Sequence, residues 1–255
     1  MEWGFIGGTG FCTVDDAGEA QAVETPYGQA VVYPVEMGGQ QVAFLPRHGT
    51  KHGIPPHLIN YRANIWALRE LGVRRVLATA SVGSLNANMQ PGEYVVLTQF
   101  LDFTKGRPST FFQEGGEVVH PDMTEPYCTA LRQQLVHGAA ELGRWLHPAG
   151  TYVCTEGPRF ETAAEVTMFS QLGGDVVGMT GVPEAVLARE AGLCYATLAV
   201  VTNWAAAVGG APLTHEEVST EMARQIAAVK QVFREVVCQG QQGGCSCRRV
   251  TEDDG

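Results

Sequence analysis

The chain has 255 residues, 45% hydrophobic and 17% charged, which suits one large domain with an ample buried core. Seventeen basic against 27 acidic residues leave a net charge of −10, spread along the chain; this excludes a nucleic-acid footprint. No apolar run reaches the roughly 18 residues of a membrane helix, and the N-terminus enters a strand at once, so neither membrane segment nor signal peptide is expected. Five of the cysteines stand singly, mostly in apolar contexts (Cys12, Cys128, Cys154, Cys194, Cys238), as in a reduced, cytoplasmic protein.

Residues 3–6 read as a short strand ending in Gly7-Gly8-Thr9-Gly10. This is not the dinucleotide fingerprint, because the third glycine position, counted from Gly8, falls on Thr13 and no helix follows. The turn suits a phosphate cradle of backbone N–H groups and the Thr9 hydroxyl, or simply a tight bend at positive φ. Residues 30–35 and 41–45 flank Gly38-Gly39 as a hairpin. Its second strand delivers Pro46-Arg47-His48-Gly49, then Lys51, His52 and His57. The Arg47 fork suits phosphate. A solvated basic loop and a metal site remain alternatives, although the glycines and prolines forbid the helix that would make His48 and His52 a ligand pair.

Residues 58–71 form an amphipathic helix stopped by Gly72. Residues 76–80 are a buried strand followed by a turn, Ser81-Val82-Gly83-Ser84, small enough for backbone amides to approach a ligand. Residues 94–103 are strand-like, 105–116 a polar loop, and 126–142 a helix. Residues 151–154 make a strand that passes through Gly157-Pro158 into a helix over 163–172, with Thr162 and Glu165 as a capping box. Phe160 and Glu161 therefore sit just outside a helix start at the carboxyl end of a strand, where α/β proteins bind ligands. An aromatic face beside a carboxylate suits a flat polar ring; a core Phe beside a solvated Glu fits the same pattern. Residues 175–178 are a strand ending at Met179-Thr180-Gly181, and Pro183 opens the next helix. Residues 194–202 are an unbroken apolar strand ending at Asn203-Trp204-Ala205. After a loose stretch at 206–212, Thr214 and Glu217 cap a helix to about 237. Residues 239–255, rich in Gly and Gln and then acidic, read as a disordered tail.

Alternating strands and helices make this an α/β protein: a single domain over 1–238, with a mixed, partly barrel-like central sheet flanked by helices. Six strand-end turns (7–10, 47–48, 81–83, 160–161, 179–180 and 203–205) converge if their strands share one sheet. That convergence is the site hypothesis.

Five ordered segments resemble the trimeric nucleoside phosphorylases, the family of purine nucleoside and methylthioadenosine phosphorylases. They are Gly7-Gly8-Thr9-Gly10, Pro46-Arg47-His48-Gly49, Asn60-Tyr61-Arg62-Ala63-Asn64, Glu156-Gly157-Pro158-Arg159-Phe160-Glu161-Thr162 and Gly178-Met179-Thr180-Gly181-Val182-Pro183-Glu184. The resemblance covers roughly residues 4–237 and implies phosphorolysis of a nucleoside to a purine base and ribose 1-phosphate. It implies phosphate as co-substrate, no metal, no other cofactor, and a homotrimer or dimer of trimers. By similarity phosphate lies among Thr9, Arg47, His48, Ala80, Ser81 and Thr180. Met179 packs on the ribose, His120 reaches the 5′ end in a neighbouring subunit, and His215 contacts the 5′-hydroxyl. Phe160, Glu161, Asn203 and Ala205 hold the base, with Asn203 as the catalytic residue that stabilises charge on the leaving purine.

Glu161 accepts from N1–H, which only a 6-oxopurine carries, and the adenine-preferring branch has Asp where this chain has Asn203. The expected substrates are therefore inosine and guanosine. S-methyl-5′-thioinosine phosphorolysis, nucleoside hydrolysis and a non-catalytic purine binder are the alternatives. The family's methylthioadenosine branch has Thr then Ala where this chain has Ala80 then Ser81, so the hydroxyl is moved by one position. Cys245-Ser246-Cys247 resembles tail pairs that form a disulfide in some heat-stable relatives; two exposed tail thiols fit the residues as well.

Overall fold

The computed structural model describes residues 1–11, 17–113, 118–206, 208–209, 214–240, 244–245 and 247, the side chain of His215 excepted. Its spine is a ten-residue strand, β5 (Arg75–Ser84). Residues 75–78 of β5 pair in parallel with β1 (Trp3–Gly7) on one edge and with β10 (Cys194–Trp204) on the other. Further along, Gly83 and Ser84 keep β10 but exchange β1 for β9 (Val176–Gly178), antiparallel. One edge of β5 thus carries two different strands in succession, and the sheet splits there into two wings.

Beyond β1 lie β4 (Gln40–Pro46), β3 (Gly28–Met37) and β2 (Gln21–Thr25). Beyond β9 lie β8 (Thr151–Thr155) and β7 (Gln99–Phe103), and β6 (Tyr94–Val96) pairs with the far edge of β10. The mixed, partly barrel-like sheet expected from the sequence is this split arrangement.

Period-2 alternation sorts the core onto the two faces of the sheet. Ile6, Ala43 and Leu45 join a cluster with α1 (Tyr61–Glu70) and α4 (Gly181–Glu190). Their neighbours Phe5, Val42 and Phe44 join another with α2 (Thr129–Glu141) and α5 (His215–Gln239). A shorter helix, α3 (Ala163–Gln171), covers β8 and β9 through Val166 and Phe169. No helix among the described residues is long and apolar enough to cross a membrane.

Several boundaries differ from the sequence reading. Ser81–Ser84 is not a turn but the end of β5, because β10 runs alongside it to Trp204. Asn203 likewise lies inside β10, just after a register shift at Val201. The strand-like run at 94–103 divides in two because β6 pairs with β10 and β7 with β8. Helix α4 starts at Gly181, two residues before Pro183; first-turn N–H groups have no intrahelical partner, so Pro fits there too. Helix α1 starts at Tyr61, where the Asn60 side chain caps it through the Ala63 amide, after a short 3₁₀ turn at Pro56–Leu58. The Thr162–Glu165 capping box forms in both directions. Strand β2 went unread: its residues are exposed or half-buried and show no core-facing alternation.

Candidate active site

Thr9, Arg47, His48, Ser81, Phe160, Glu161, Met179, Thr180, Asn203 and Ala205 line one cavity of about 570 Å³, within the range of small-molecule sites. Of the residues singled out from the sequence, Ala80 does not line it; this side chain belongs to the core behind. His120 is exposed and stands outside the cavity of its own subunit. His215 opens α5, and its side chain lies outside the described residues. His52, Ile54 and Pro55 also contribute walls, whereas Lys51 is exposed and does not.

Arg47 is 2% exposed. Its Nε and Nη2 donate to Glu184 at 2.5 and 2.8 Å, and Nη1 donates to the Thr79 carbonyl at 2.9 Å. Glu184, fully buried on α4, also accepts from the Tyr195 hydroxyl at 2.8 Å. Burial opposes the Arg47 charge, but Glu184 beside it outweighs that and holds the group above its ordinary range. Of the five guanidinium N–H groups, one on each terminal nitrogen remains uncommitted among the described residues. The arginine fork is therefore available only in part, and its charge is already neutralised. An anion here leans on neutral donors as well.

Those donors are at hand. The Ser81 hydroxyl is buried with no hydrogen-bond partner among the described residues. Thr180 is the N-cap of α4, yet its side chain caps nothing. The positive end of that helix faces the cavity beside it. The Gly7–Gly10 turn is tight: a Cβ on Gly7 would lie 2.5 Å from the Phe11 carbonyl. The Gly8 amide is already donated to Thr79 Oγ1 at 3.0 Å, so the cradle offers less than the sequence suggests. His48 Nδ1 lies 2.8 Å from the Ile54 carbonyl. A carbonyl only accepts, so the ring proton sits on Nδ1.

Glu161 is 8% exposed and accepts from Thr155 Oγ1 at 2.6 Å. Its second oxygen makes no hydrogen bond to a described residue. Asn203 Nδ2 donates to the Trp204 carbonyl at 2.8 Å, and its Oδ1 accepts from Thr202 Oγ1 at 2.7 Å. The Trp204 carbonyl cannot donate, so the amide orientation is set, with one Nδ2 hydrogen left over. Asn203 lies in register with Gly83, four residues along β5 from the Thr79 that braces Arg47. At ~3.3 Å per residue that is roughly 13 Å, room to lay an anion and a flat ring side by side. A Cβ on Gly83 would come within 3.2 Å of Asn203 Nδ2.

The sequence reading passed over Thr79, Thr155 and Tyr195, which brace the site, and saw Glu184 only as a motif letter. Each acts through a partner distant in sequence, or through a hydroxyl that looks like ordinary strand composition. Only the Thr155–Glu161 pair, six residues apart across a turn, left a local trace.

The model of the phosphorylase superfamily matches residues 2–237. A curated relative in Moorella thermoacetica, named "Probable 6-oxopurine nucleoside phosphorylase", is 57% identical over 225 residues, covering 86% of this chain and 85% of its own length. One in Methanothermobacter thermautotrophicus, named "Probable S-methyl-5'-thioinosine phosphorylase", is 52% identical over 219 residues, covering 84% and 76%. Among solved structures, methylthioadenosine phosphorylase from Schistosoma mansoni in complex with adenine is 35% identical, with a TM-score of 0.88 over 93% of this chain and 91% of that one.

Proposed function

Because the chain belongs to the phosphorylase superfamily, we propose that it is a 6-oxopurine nucleoside phosphorylase, a pentosyltransferase of purine salvage that acts on inosine and guanosine in the cytoplasm. The C1′–N9 bond breaks with its electron pair going to the purine, and a phosphate oxygen forms the new bond to C1′. The products are the base and ribose 1-phosphate. The observation that carries the reading is the single cavity that holds Arg47, His48, Ser81 and Thr180 along with Phe160, Glu161 and Asn203.

Phosphate is held by Thr9, Arg47, His48, Ser81 and Thr180, with Ala80 offering only its backbone. It is both nucleophile and counter-charge to the oxocarbenium-like sugar, so the chemistry needs no protein nucleophile, metal or cofactor. Phe160 stacks on the base, Ala205 closes the pocket, and Glu161 accepts N1–H through its uncommitted oxygen. The remaining Asn203 Nδ2 hydrogen goes to N7, where charge accumulates as the bond breaks. Met179 packs on the ribose. A homotrimer completes the site, with His120 of one subunit reaching the 5′ end in the next; the 66% exposed Leu58 next to the cavity loop suits burial between subunits.

Base release from inosine, guanosine, adenosine and 5′-methylthioinosine, with and without phosphate, tests this. Phosphate-dependent release from inosine and guanosine, with adenosine poor, is expected; release without phosphate sinks the reading. The M. thermautotrophicus likeness favours a second reading, thioinosine phosphorolysis. A faster rate with 5′-methylthioinosine than with inosine selects it and removes His215 from the 5′ contact.

A further inference from the structure

Outside the cavity lining, four cysteines converge from three segments. Cys128 is the N-cap of α2, Cys194 is the first residue of β10, and Cys245 and Cys247 belong to the segment after α5. Their four sulfurs all lie within 4.8 Å of one another, and Cys194 Sγ is 3.2 Å from Cys245 Sγ. All four are unbonded thiols. The reading of this stretch as a disordered tail with exposed thiols fails at Cys247, which is 3% exposed and packs in the core cluster of α2 and α5.

Helix α5 is capped at its C-terminus by Gly240, with a φ of 65°. The Gly240 carbonyl accepts from Gln134 Nε2 at 2.5 Å, and the Val237 carbonyl from Gln40 Nε2 at 3.1 Å. The chain is thus fastened beside α2 just before its last two cysteines meet the start of that helix.

We propose that Cys128, Cys194, Cys245 and Cys247 form a tetrathiolate site for a soft, four-coordinate divalent cation of the zinc class. Four sulfurs about 2.3 Å from a common centre in a tetrahedron stand about 3.8 Å apart, a separation that fits inside the observed spread. Two disulfides would instead need two pairs, each closed to about 2.05 Å. Sulfur-only ligation selects zinc-like over hard cations. Binding replaces four S–H protons with one divalent ion and releases four protons, with no change of oxidation state. The site is structural: it ties the end of the chain to α2 and β10.

Titrating the reduced full-length chain with Co²⁺ reads this directly. One equivalent should bring a thiolate-to-metal charge-transfer band and the strong visible bands of tetrahedral Co²⁺, both abolished by one equivalent of Zn²⁺. Thiol labelling of the native chain should slow markedly when Zn²⁺ is added. Cys245→Ser, at an exposed position, and the Cys245→Ser/Cys247→Ser pair should lose the bands and the Zn²⁺-dependent rise in melting temperature while keeping nucleoside turnover. Absence of the bands overturns the proposal, as does their persistence in the double variant. So does finding the four cysteines joined in disulfides in chain alkylated at cell lysis. Apart from the turnover control, none of these readouts depends on the phosphorylase assignment.

Discussion

Arg47 and Glu161 face the same cavity, yet the fold holds them by different means. Arg47 is clamped by three hydrogen bonds to a strand carbonyl and a fully buried carboxylate, drawn from β5 and α4. Glu161 stands on a loop and is held by one hydroxyl at 2.6 Å. The first arrangement sits on paired strands and a helix start, so it is stiff and costly to disturb. The second is adjustable, so under the proposed function changes there should alter which base is taken more than whether the chain folds. In the proposed reading, position is fixed where phosphate would bind, and choice is left where the base would.

The comparison breaks most visibly at Arg47. Arg47→Ala leaves Glu184 buried without its partner, which costs about 3–5 kcal/mol, and lowers kcat/KM by about a thousandfold through lost electrostatic stabilisation. Urea denaturation and phosphate-dependent base release measure the two effects. Glu161→Gln should fold as well as the parent and lose about 10- to 100-fold in kcat/KM for inosine, the worth of one charged hydrogen bond, with adenosine turnover little changed. If urea midpoints fall equally in the two variants, the contrast is wrong.

Asn203→Asp sharpens the base side. The inosine-to-adenosine ratio of kcat/KM should fall by about tenfold, since Asp can be protonated and Asn cannot; an unchanged ratio removes Asn203 from base selection. The smallest effects belong to the braces. Thr155→Val frees Glu161 at about 1 kcal/mol, roughly fivefold in inosine kcat/KM. Ser81→Ala should raise the KM for phosphate by a similar factor while leaving base preference alone.

Signals carried by neighbours in sequence were legible. Thr162 and Glu165 announced a helix start three residues apart, and Gly38-Gly39 announced a hairpin. Most of the residues singled out line one cavity; they stood out because strand ends gather in α/β folds and because ordered segments resemble a known family. What failed was non-local. Ser81–Ser84 looks like a turn from its small side chains, and only the run of β10 beside it keeps it a strand. Glu184 stands 137 positions from Arg47, and no pattern in either segment links them. The four cysteines read as lone core thiols and a tail pair because their meeting depends on a helix cap, a strand start and a segment beyond α5, all distant in sequence.

Strand β5, which includes Ser81 and Gly83, pairs with β10 throughout, and its other edge carries β1 over residues 75–78 and β9 at Gly83 and Ser84. Amide hydrogens of β5 at its doubly paired residues 75–78, 83 and 84 should be among the last of the described residues to exchange with heavy water. The cavity is also walled by His52, Ile54 and Pro55. There Gly49 and His52 adopt left-handed backbone, and Ile54 is 41% exposed. The Ile54 carbonyl also holds the His48 proton in place, so a shift of that segment would loosen the ring proposed to meet the anion.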